Sequence, residues 1–438
     1  MNVPQLIDGQ VEFTSTVTLP PVEDSGIDHI VVVMTENRSF DHFLGWLLGS
    51  GKQAGLSYAD NNGALHYTHP LAPDYEGCNH PDPDHSYTGS RIAYANGHMN
   101  GFLKDTVNDD FCIGYYQAAD QPFFTALVQN YLTCDSYFAS ILGPTFSNRM
   151  FLWAAQTDRL DDSISLSSLP TIFDRLSAAH ISHRYYFNNV PYLALWGLKY
   201  IGSTSPFAQF LLQAALGILP SVSFIDPFYT VLDDGTGNDD HPHADIRNGE
   251  HFLATVVNAI HNSPQRDKTL LVITFDEWGG FFEHIAPPRV TPGNAVDTDR
   301  DSNGKVLLGF RIPPILVSPL TRNTKPSVQV NHTLFDHTSI LKFIEWRWSV
   351  PSLTPRDAAP EIGNLAVALN FNSPDYTLPI LPSAPSVVAT PCFQGGIFSP
   401  NSSTAAQVSA PGTEWARLAQ AQTTRQWLAH PAFQTKMP

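Results

Sequence analysis

The sequence predicts one large α/β domain built on a mostly parallel central sheet and interrupted by long loops. Two short apolar runs carry that reading, His29-Ile30-Val31-Val32-Val33-Met34-Thr35-Glu36-Asn37 and Thr269-Leu270-Leu271-Val272-Ile273-Thr274-Phe275-Asp276-Glu277. Each is rich in β-branched residues, too short for a core helix, and stopped by acidic and amide side chains, the pattern of a strand buried on both faces. The third observation is the alternation of strand-like and helix-like segments over most of the 438 residues. It favours a single α/β unit over the two or three domains that length alone suggests. In such sheets ligands gather beyond the carboxyl ends of the strands. Glu36, Asn37, Asp276 and Glu277 are therefore expected at one edge, as oxygen donors for a hard or borderline divalent cation.

The elements follow in order. Residues 1–26 read as an extended lead-in. After the strand at 29–35, Arg38 to Gly45 begins a short helix. Residues 50–120, rich in Gly, Asn, Asp, His, Pro and Tyr, form an insertion of the kind that walls a site. A helix is predicted over 122–131, a strand over 132–139, a turn at 143–146 and a helix over 148–156. A further helix spans 171–179 and a strand 183–187; residues 190–219 are apolar and aromatic. Val222 to Ile225 is a strand stopped by Asp226-Pro227. Asp245 caps a helix running to His261, whose Phe252, Val256, Val257 and Ile260 keep a 3.6-residue period. Beyond the second acidic strand come an aromatic glycine turn (278–288) and a polar insertion (291–305). Ile312 to Val317 is a strand with Pro313 and Pro314 at its start or on an edge. Asp336 caps a helix to Trp348. Residues 374–412 are irregular and 413–429 helical.

Composition narrows function. The formal charge is −17, which repels phosphate backbones and argues against a nucleic-acid partner and against tight adsorption to anionic lipid. A phosphate-bearing substrate would need a local positive centre, which a metal ion supplies. No run approaches the roughly 20 apolar residues of a spanning helix. Met1 to Pro21 has neither a basic start nor an apolar core, so it is not read as a signal peptide. Four cysteines, Cys78, Cys112, Cys134 and Cys392, fit no metal motif; disulfides among them would indicate an oxidising compartment.

Each candidate residue has a competing structural reading. Glu36-Asn37 alone fits a capped turn, and Asn37-Arg38-Ser39 also fits a glycosylation site, which a ligand role excludes. Asp276-Glu277 places adjacent carboxylates that need a cation to coexist in a cleft. Thr145, between a Gly-Pro turn and a helix, is an N-cap or a nucleophile whose hydroxyl sits at the positive end of the helix. Asn148 and Arg149 are a turn away, within reach of phosphoryl oxygens, and Arg149 fits a structural ion pair equally well. His241, oriented by Asp240, suits a general acid. His284 follows the aromatic turn. Trp278, Phe281 and Phe282 pack the core or present a cation–π face to a quaternary ammonium; Tyr192 and Trp196 offer a second wall. There is no Walker loop, no Gly-x-Ser-x-Gly elbow and no His-Glu-x-x-His helix.

Taken together, Glu36-Asn37-Arg38-Ser39-Phe40-Asp41-His42, Gly143-Pro144-Thr145-Phe146-Ser147-Asn148-Arg149, Asp240-His241-Pro242 and Asp276-Glu277-Trp278-Gly279-Gly280-Phe281-Phe282-Glu283-His284 resemble, in one order, the bacterial non-specific phospholipase C and acid phosphatase family of the alkaline-phosphatase-like superfamily. Gly309 to Pro313, Phe335 to Ser339 and Gly363 to Leu365 also fit. The resemblance covers roughly residues 27–372. It implies a three-layer α/β/α sandwich for that catalytic domain, with 373–438 an irregular segment and helix packed on the same domain. It implies one divalent ion (Zn, Ca, Mg or Mn) held by Glu36, Asn37, Thr145, Asp276 and Glu277. Thr145 is then the nucleophile and His241 the acid at the leaving group, with Asn148, Arg149, Trp278 and His284 around the substrate. Thr at the nucleophile position is more similar to the phospholipase C branch, acting on phosphatidylcholine-type lipid through a phosphothreonine intermediate during transient contact with a membrane surface. The alternatives are a broad-specificity acid phosphatase and a non-catalytic lipid- or metal-binding protein, although binding alone needs neither Thr145 nor His241. A secreted or periplasmic location is implied by the resemblance. Glu283 stands where Asp is usual, and Ser147 where Pro is common.

Overall fold

The computed structural model describes residues 1–231, 236–325, 327–388, 392 and 414–433. Its centre is an eight-stranded sheet. In chain order the strands are β1 (His29–Thr35), β2 (Leu132–Cys134), β3 (His183–Phe187), β4 (Thr204–Pro206), β5 (Val222–Ile225), β6 (Thr269–Phe275), β7 (Ile315–Val317) and β8 (Gln329–Asn331). Their spatial order is β4-β3-β5-β1-β6-β7-β2-β8. All pairings are parallel except the two that β7 makes, with β6 and β2. β1 and β6 are central, and every residue of both but His29 is buried. That matches their unbroken apolar composition.

The helices that matter are α1 (Phe40–Leu44), α2 (Pro122–Asn130), α3 (Thr145–Ala154), α4 (Ile172–Ala178), α5 (Phe207–Leu216), α6 (Ile246–His261), α7 (His337–Trp348), α8 (Glu414–Gln420) and α9 (Gln422–Leu428). α6 packs against α2 and α5, and α3 packs against α4 and α7. The layers lie on both sides of the sheet. Asp245 and Asp336 cap their helices as the sequence indicates, accepting from the Arg247 and Thr338 N–H groups, and Thr171 caps α4 by accepting from the Phe173 N–H.

Several expectations change. Residues 1–26 are not simply extended: Asn2–Ile7 and Gln10–Thr16 pair as an antiparallel hairpin. Its turn is Asp8-Gly9, both with positive φ (47° and 76°), the combination that favours a two-residue hairpin loop. The strand expected over 132–139 stops at Cys134. The strand expected from Ile312 begins at Ile315, past its two prolines, and lies inside the sheet between β6 and β2. The helix expected over 148–156 starts at Thr145. The final helix is two, broken at Ala421. β4 and β8 fall in segments where no strand was expected. Of the irregular stretch 374–412, most from 389 onward lies outside the described residues. Cys78 and Cys392 form a disulfide, and Cys112 and Cys134 are free and buried. Among the described residues no helix is long and apolar enough to cross a membrane.

Candidate active site and metal centre

The site grows from one rung of the sheet. Phe275 pairs with Thr35, so the next residues, Glu36 and Asp276, leave the sheet side by side at the strand spacing of about 4.8 Å. Asn37 turns back with a left-handed backbone, φ 60°, which Asn tolerates better than most residues. Its N–H donates to Asp276 Oδ1 at 2.9 Å, and the Glu277 N–H donates to the same oxygen at 2.7 Å. The Gly279 N–H donates to Glu277 Oε2 at 2.9 Å. Gly279 has φ 65° and lies so close that a Cβ would stand 2.0 Å from the Asn37 carbonyl oxygen. Only glycine closes this turn.

Thr145 is the first residue of α3, after Pro144. Its hydroxyl is no cap. Asn148 builds the turn that presents it: Oδ1 accepts from the Ile141 N–H at 3.0 Å, and Nδ2 donates to the Gly143 carbonyl at 2.9 Å. The side chain of Asn148 is thus turned onto the loop before Thr145. Arg149, one turn into α3, donates to Glu36 Oε1 from Nη2 (2.7 Å) and Nε (3.0 Å), and to Asp226 Oδ1 from Nη1 (3.2 Å). It ties α3 to β1 and β5 as a buried ion-pair centre.

Four oxygens of the site stand without protein hydrogen-bond partners: Asn37 Oδ1, Thr145 Oγ1, Asp276 Oδ2 and Glu277 Oε1 are buried and make no hydrogen bond among the described residues. Arg149 Nε lies 3.5 Å from Asp276 Oδ2, an ion-pair distance only. Each buried polar atom left without a partner costs about 1–3 kcal/mol. Four from three chain segments form an all-oxygen donor set that a hard divalent cation satisfies. Glu36 differs: Oε1 is taken by Arg149 and Oε2 accepts from Trp415 Nε1 at 2.9 Å. Because Oε1 accepts from both Nη2 and Nε of Arg149, only Oε2 keeps a second lone pair. Asn37 is fully buried, which closes it to glycosylation.

His241 is buried on the loop after β5. Arg38 holds that loop, donating to the Asp240 carbonyl at 2.6 Å and the His241 carbonyl at 2.9 Å. The carboxylate facing the ring is Asp82, whose Oδ2 is 3.6 Å from His241 Nε2, and not the adjacent Asp240 that the sequence suggests. Asp239 accepts from the His241 backbone N–H at 3.3 Å.

Burial is the largest influence on the acids here. It holds the Glu36 carboxyl well above the usual range, with Asp276 adding and Arg149 opposing. Glu277 is raised well above the usual range by burial, with His85 opposing and Asp276 adding. Partial burial disfavours the charge of His85, yet Glu277, Asp82 and Glu414 hold it well above its ordinary value. Burial also lifts Asp162 to about 6 and Glu414 to about 8. This excess of buried acid is the electrostatic counterpart of the open oxygens.

The structure brings together Glu36, Asn37, Asp276 and Glu277 by register and bonding, and joins α3 to them through Arg149. It sets two other candidates elsewhere. Trp278 is fully buried in a small aromatic core, edge-on to Phe310 at 4.6 Å and near Phe102. His284 Nδ1 is 2.5 Å from Asp41 Oδ2, beside Glu283 and Arg311, and lines an outer cavity with Asp135 and His332. Asp82, His85, Asp162, Glu414 and Trp415 are not singled out by the sequence. Only His80-Pro81-Asp82-Pro83-Asp84-His85 carries a signal, since its acid and histidine pattern echoes Asp240-His241-Pro242.

Residues 27–351 match the family model described as Phosphoesterase family. Non-specific phospholipase C6 of Arabidopsis thaliana is 33% identical over 76% of this chain and 71% of its own length. Phospholipase C A of Mycobacterium tuberculosis is 29% identical over 80% and 78%. Non-hemolytic phospholipase C of Pseudomonas aeruginosa is 28% identical over 83% and 60%. Among solved structures, a Vibrio parahaemolyticus protein in the alkaline phosphatase superfamily covers 83% of this chain and 72% of that one, at TM-score 0.37 and 10% identity.

Proposed function

The chain belongs to the phosphoesterase family, and we propose that it is a metal-dependent phospholipase C that cleaves phosphatidylcholine-type lipids into diacylglycerol and a phosphorylated head group. The observation that carries the reading is the set of buried, unpartnered oxygens on Asn37, Thr145, Asp276 and Glu277. The names of the relatives supply the phospholipid class. A divalent ion held by these four residues and Glu36 would supply Lewis-acid activation of the hydroxyl and neutralise charge on the phosphoryl oxygens.

The chain's own residues account for the rest. The Thr145 hydroxyl gives its proton to solvent as Oγ1 attacks phosphorus, and the bond from phosphorus to the diacylglycerol oxygen breaks. His241 donates the proton that this oxygen needs, and Asp82 stabilises the charged ring. Water then attacks the phosphothreonine, giving up its proton to the now neutral His241; the bond from phosphorus to Thr145 Oγ1 breaks, and Oγ1 takes back a proton from solvent. Arg149 and Asn148 hold α3 so that Thr145 stays aimed at the strand ends. Two in-line displacements give net retention at phosphorus; inversion with a chiral substrate would reject the covalent step.

The Cys78–Cys392 disulfide supports a secreted or periplasmic location. Exposed Phe228, two residues beyond Asp226, and Leu166, on the loop after α3, are apolar anchors for transient contact with a lipid surface. Nitrophenyl phosphorylcholine and nitrophenyl phosphate, compared at equal Mn²⁺ loading, test the substrate class. Preference for the diester is expected. A strong preference for the monoester points to a phosphatase, and binding of Mn²⁺ without turnover of either points to a non-catalytic protein.

A further inference from the structure

We propose that α8 is a working part of the metal centre and that Trp415 is a positioning residue for Glu36. The proposal rests on Glu36 being a metal ligand. The helix lies beyond residue 351, where the match to the family model ends, and Trp415 follows Glu36 by 379 residues.

Trp415 is fully buried, and its indole N–H donates to Glu36 Oε2 at 2.9 Å while Arg149 holds Oε1 at 2.7 Å. With Arg149 on one oxygen and Trp415 on the other, the carboxylate cannot swing about its last side-chain bond. The indole is itself locked. It stacks on Tyr229 with ring centres 3.4 Å apart and planes 10° from parallel. It lies edge-on to Phe146, the residue after Thr145, at 5.3 Å, and to Tyr192 at 6.0 Å. The Arg149 guanidinium lies over the rings of both Tyr229 and Trp415, at 5.0 and 5.1 Å. One ring therefore touches the carboxylate, the arginine that holds it and the neighbour of the attacking threonine.

A buried tryptophan needs a partner for its N–H, but any carbonyl would serve that need. Here the partner is a carboxylate whose other oxygen is already held by a buried arginine, beside four open oxygens. A group that orients a ligand in this way typically changes metal affinity by about 10–100-fold when removed. Glu414, the preceding residue, adds a second reason to count α8 within the centre: its Oε1 is buried without a hydrogen bond among the described residues, and its carboxyl interacts with Asp162, His85 and Asp82.

The test is Mn²⁺ affinity of the full chain, measured by equilibrium dialysis, with Tm recorded in chelator. Trp415→Phe keeps the ring and removes only the N–H. Its Tm in chelator is expected within a few degrees of the parent, and its Mn²⁺ Kd about tenfold higher. A Kd changed by less than about threefold would show a packing role alone and overturn the proposal. Asp276→Asn is the control. If it binds Mn²⁺ as tightly as the parent, the metal reading itself fails. If it loses Mn²⁺ while Trp415→Phe retains it, only the role of Trp415 fails. Should Trp415→Phe not fold, Trp415→His and Trp415→Leu decide: the histidine variant, which keeps an N–H, is expected to bind Mn²⁺ more tightly, and equal affinities overturn the proposal.

Discussion

Beyond the carboxyl ends of β1 and β6 the chain buries two clusters of acids. One is Glu36 with Asp276 and Glu277; the other, slightly further along both segments, is Asp41 with Glu283 and His284. Judged by spacing alone, the Asp41 cluster is the stronger metal candidate, since one ligand atom from each of its three residues lies within 4.8 Å of the others. Yet its oxygens are already supplied. Arg311 Nη2 donates to Glu283 Oε1 at 2.7 Å and to Asp41 Oδ1 at 3.2 Å; Lys52 and His284 backbone N–H groups reach Asp41, and Ile285 reaches Glu283. The Glu36 cluster has an arginine too, but Arg149 engages Glu36 and leaves an oxygen open on Asp276 and on Glu277. Convergence of acids alone therefore does not identify a cation site. The two clusters differ in the count of donors against acceptors: the Asp41 cluster carries its own cation in Arg311, whereas Asp276 and Glu277 each keep an oxygen with no hydrogen bond among the described residues.

The contrast can be broken at either cluster. The largest effect is expected from Asp276→Asn, which should abolish both Mn²⁺ binding and turnover, read by dialysis and by diester hydrolysis. Thr145→Ala should lower kcat by at least about 10³-fold while leaving the Mn²⁺ Kd within about tenfold; near-normal kcat would remove Thr145 from the chemistry. Arg311→Met should cost about 3–5 kcal/mol in urea unfolding, because it removes the buried cation that balances Asp41 and Glu283, and should leave Mn²⁺ affinity unchanged. Raising free Mn²⁺ to about 100 times its Kd should stabilise the parent by about 2.7 kcal/mol. The gain should be the same for Arg311→Met and absent for Asp276→Asn. The smallest effect concerns pH. Burial raises Glu283 to about 7, with Arg311 pulling it down and Asp41 pushing it up. A folded value above the ordinary 4.5 means that the stability it contributes is complete below pH 4.5 and lost as pH rises through 7. That loss is about 1–3 kcal/mol. Glu283→Gln should flatten this part of the pH profile of unfolding.

Much of this is legible in the chain because it is local. The strand runs 29–35 and 269–275 declare themselves by composition, and Asp245 and Asp336 by cap chemistry. Asp8-Gly9 is equally local: its turn preference favours a hairpin, although the polar composition around it reads as a lead-in. The rest depends on long-range pairing. Nothing near His284 announces Arg311, whose guanidinium turns it from a site residue into part of an ion-pair network. Nothing near Asn148 shows that its amide is consumed by Gly143 and Ile141. Trp415 and Glu414 sit in an ordinary amphipathic stretch, and only the fold reveals where they are inserted. His85 is legible as a histidine and illegible as a neighbour of Asn37, 3.2 Å from its amide.

The shared rung of Thr35 and Phe275 has a consequence for how this protein tolerates change. The carboxylates of Glu36 and Asp276 hang from adjacent strands immediately past that rung, so the separation of their backbones is inherited from strand pairing. Slipping either strand by a single residue would turn its acid to the opposite face. An insertion within 29–36 or 269–276 would move Glu36 or Asp276 off that shared rung, so length is fixed there by the pairing itself.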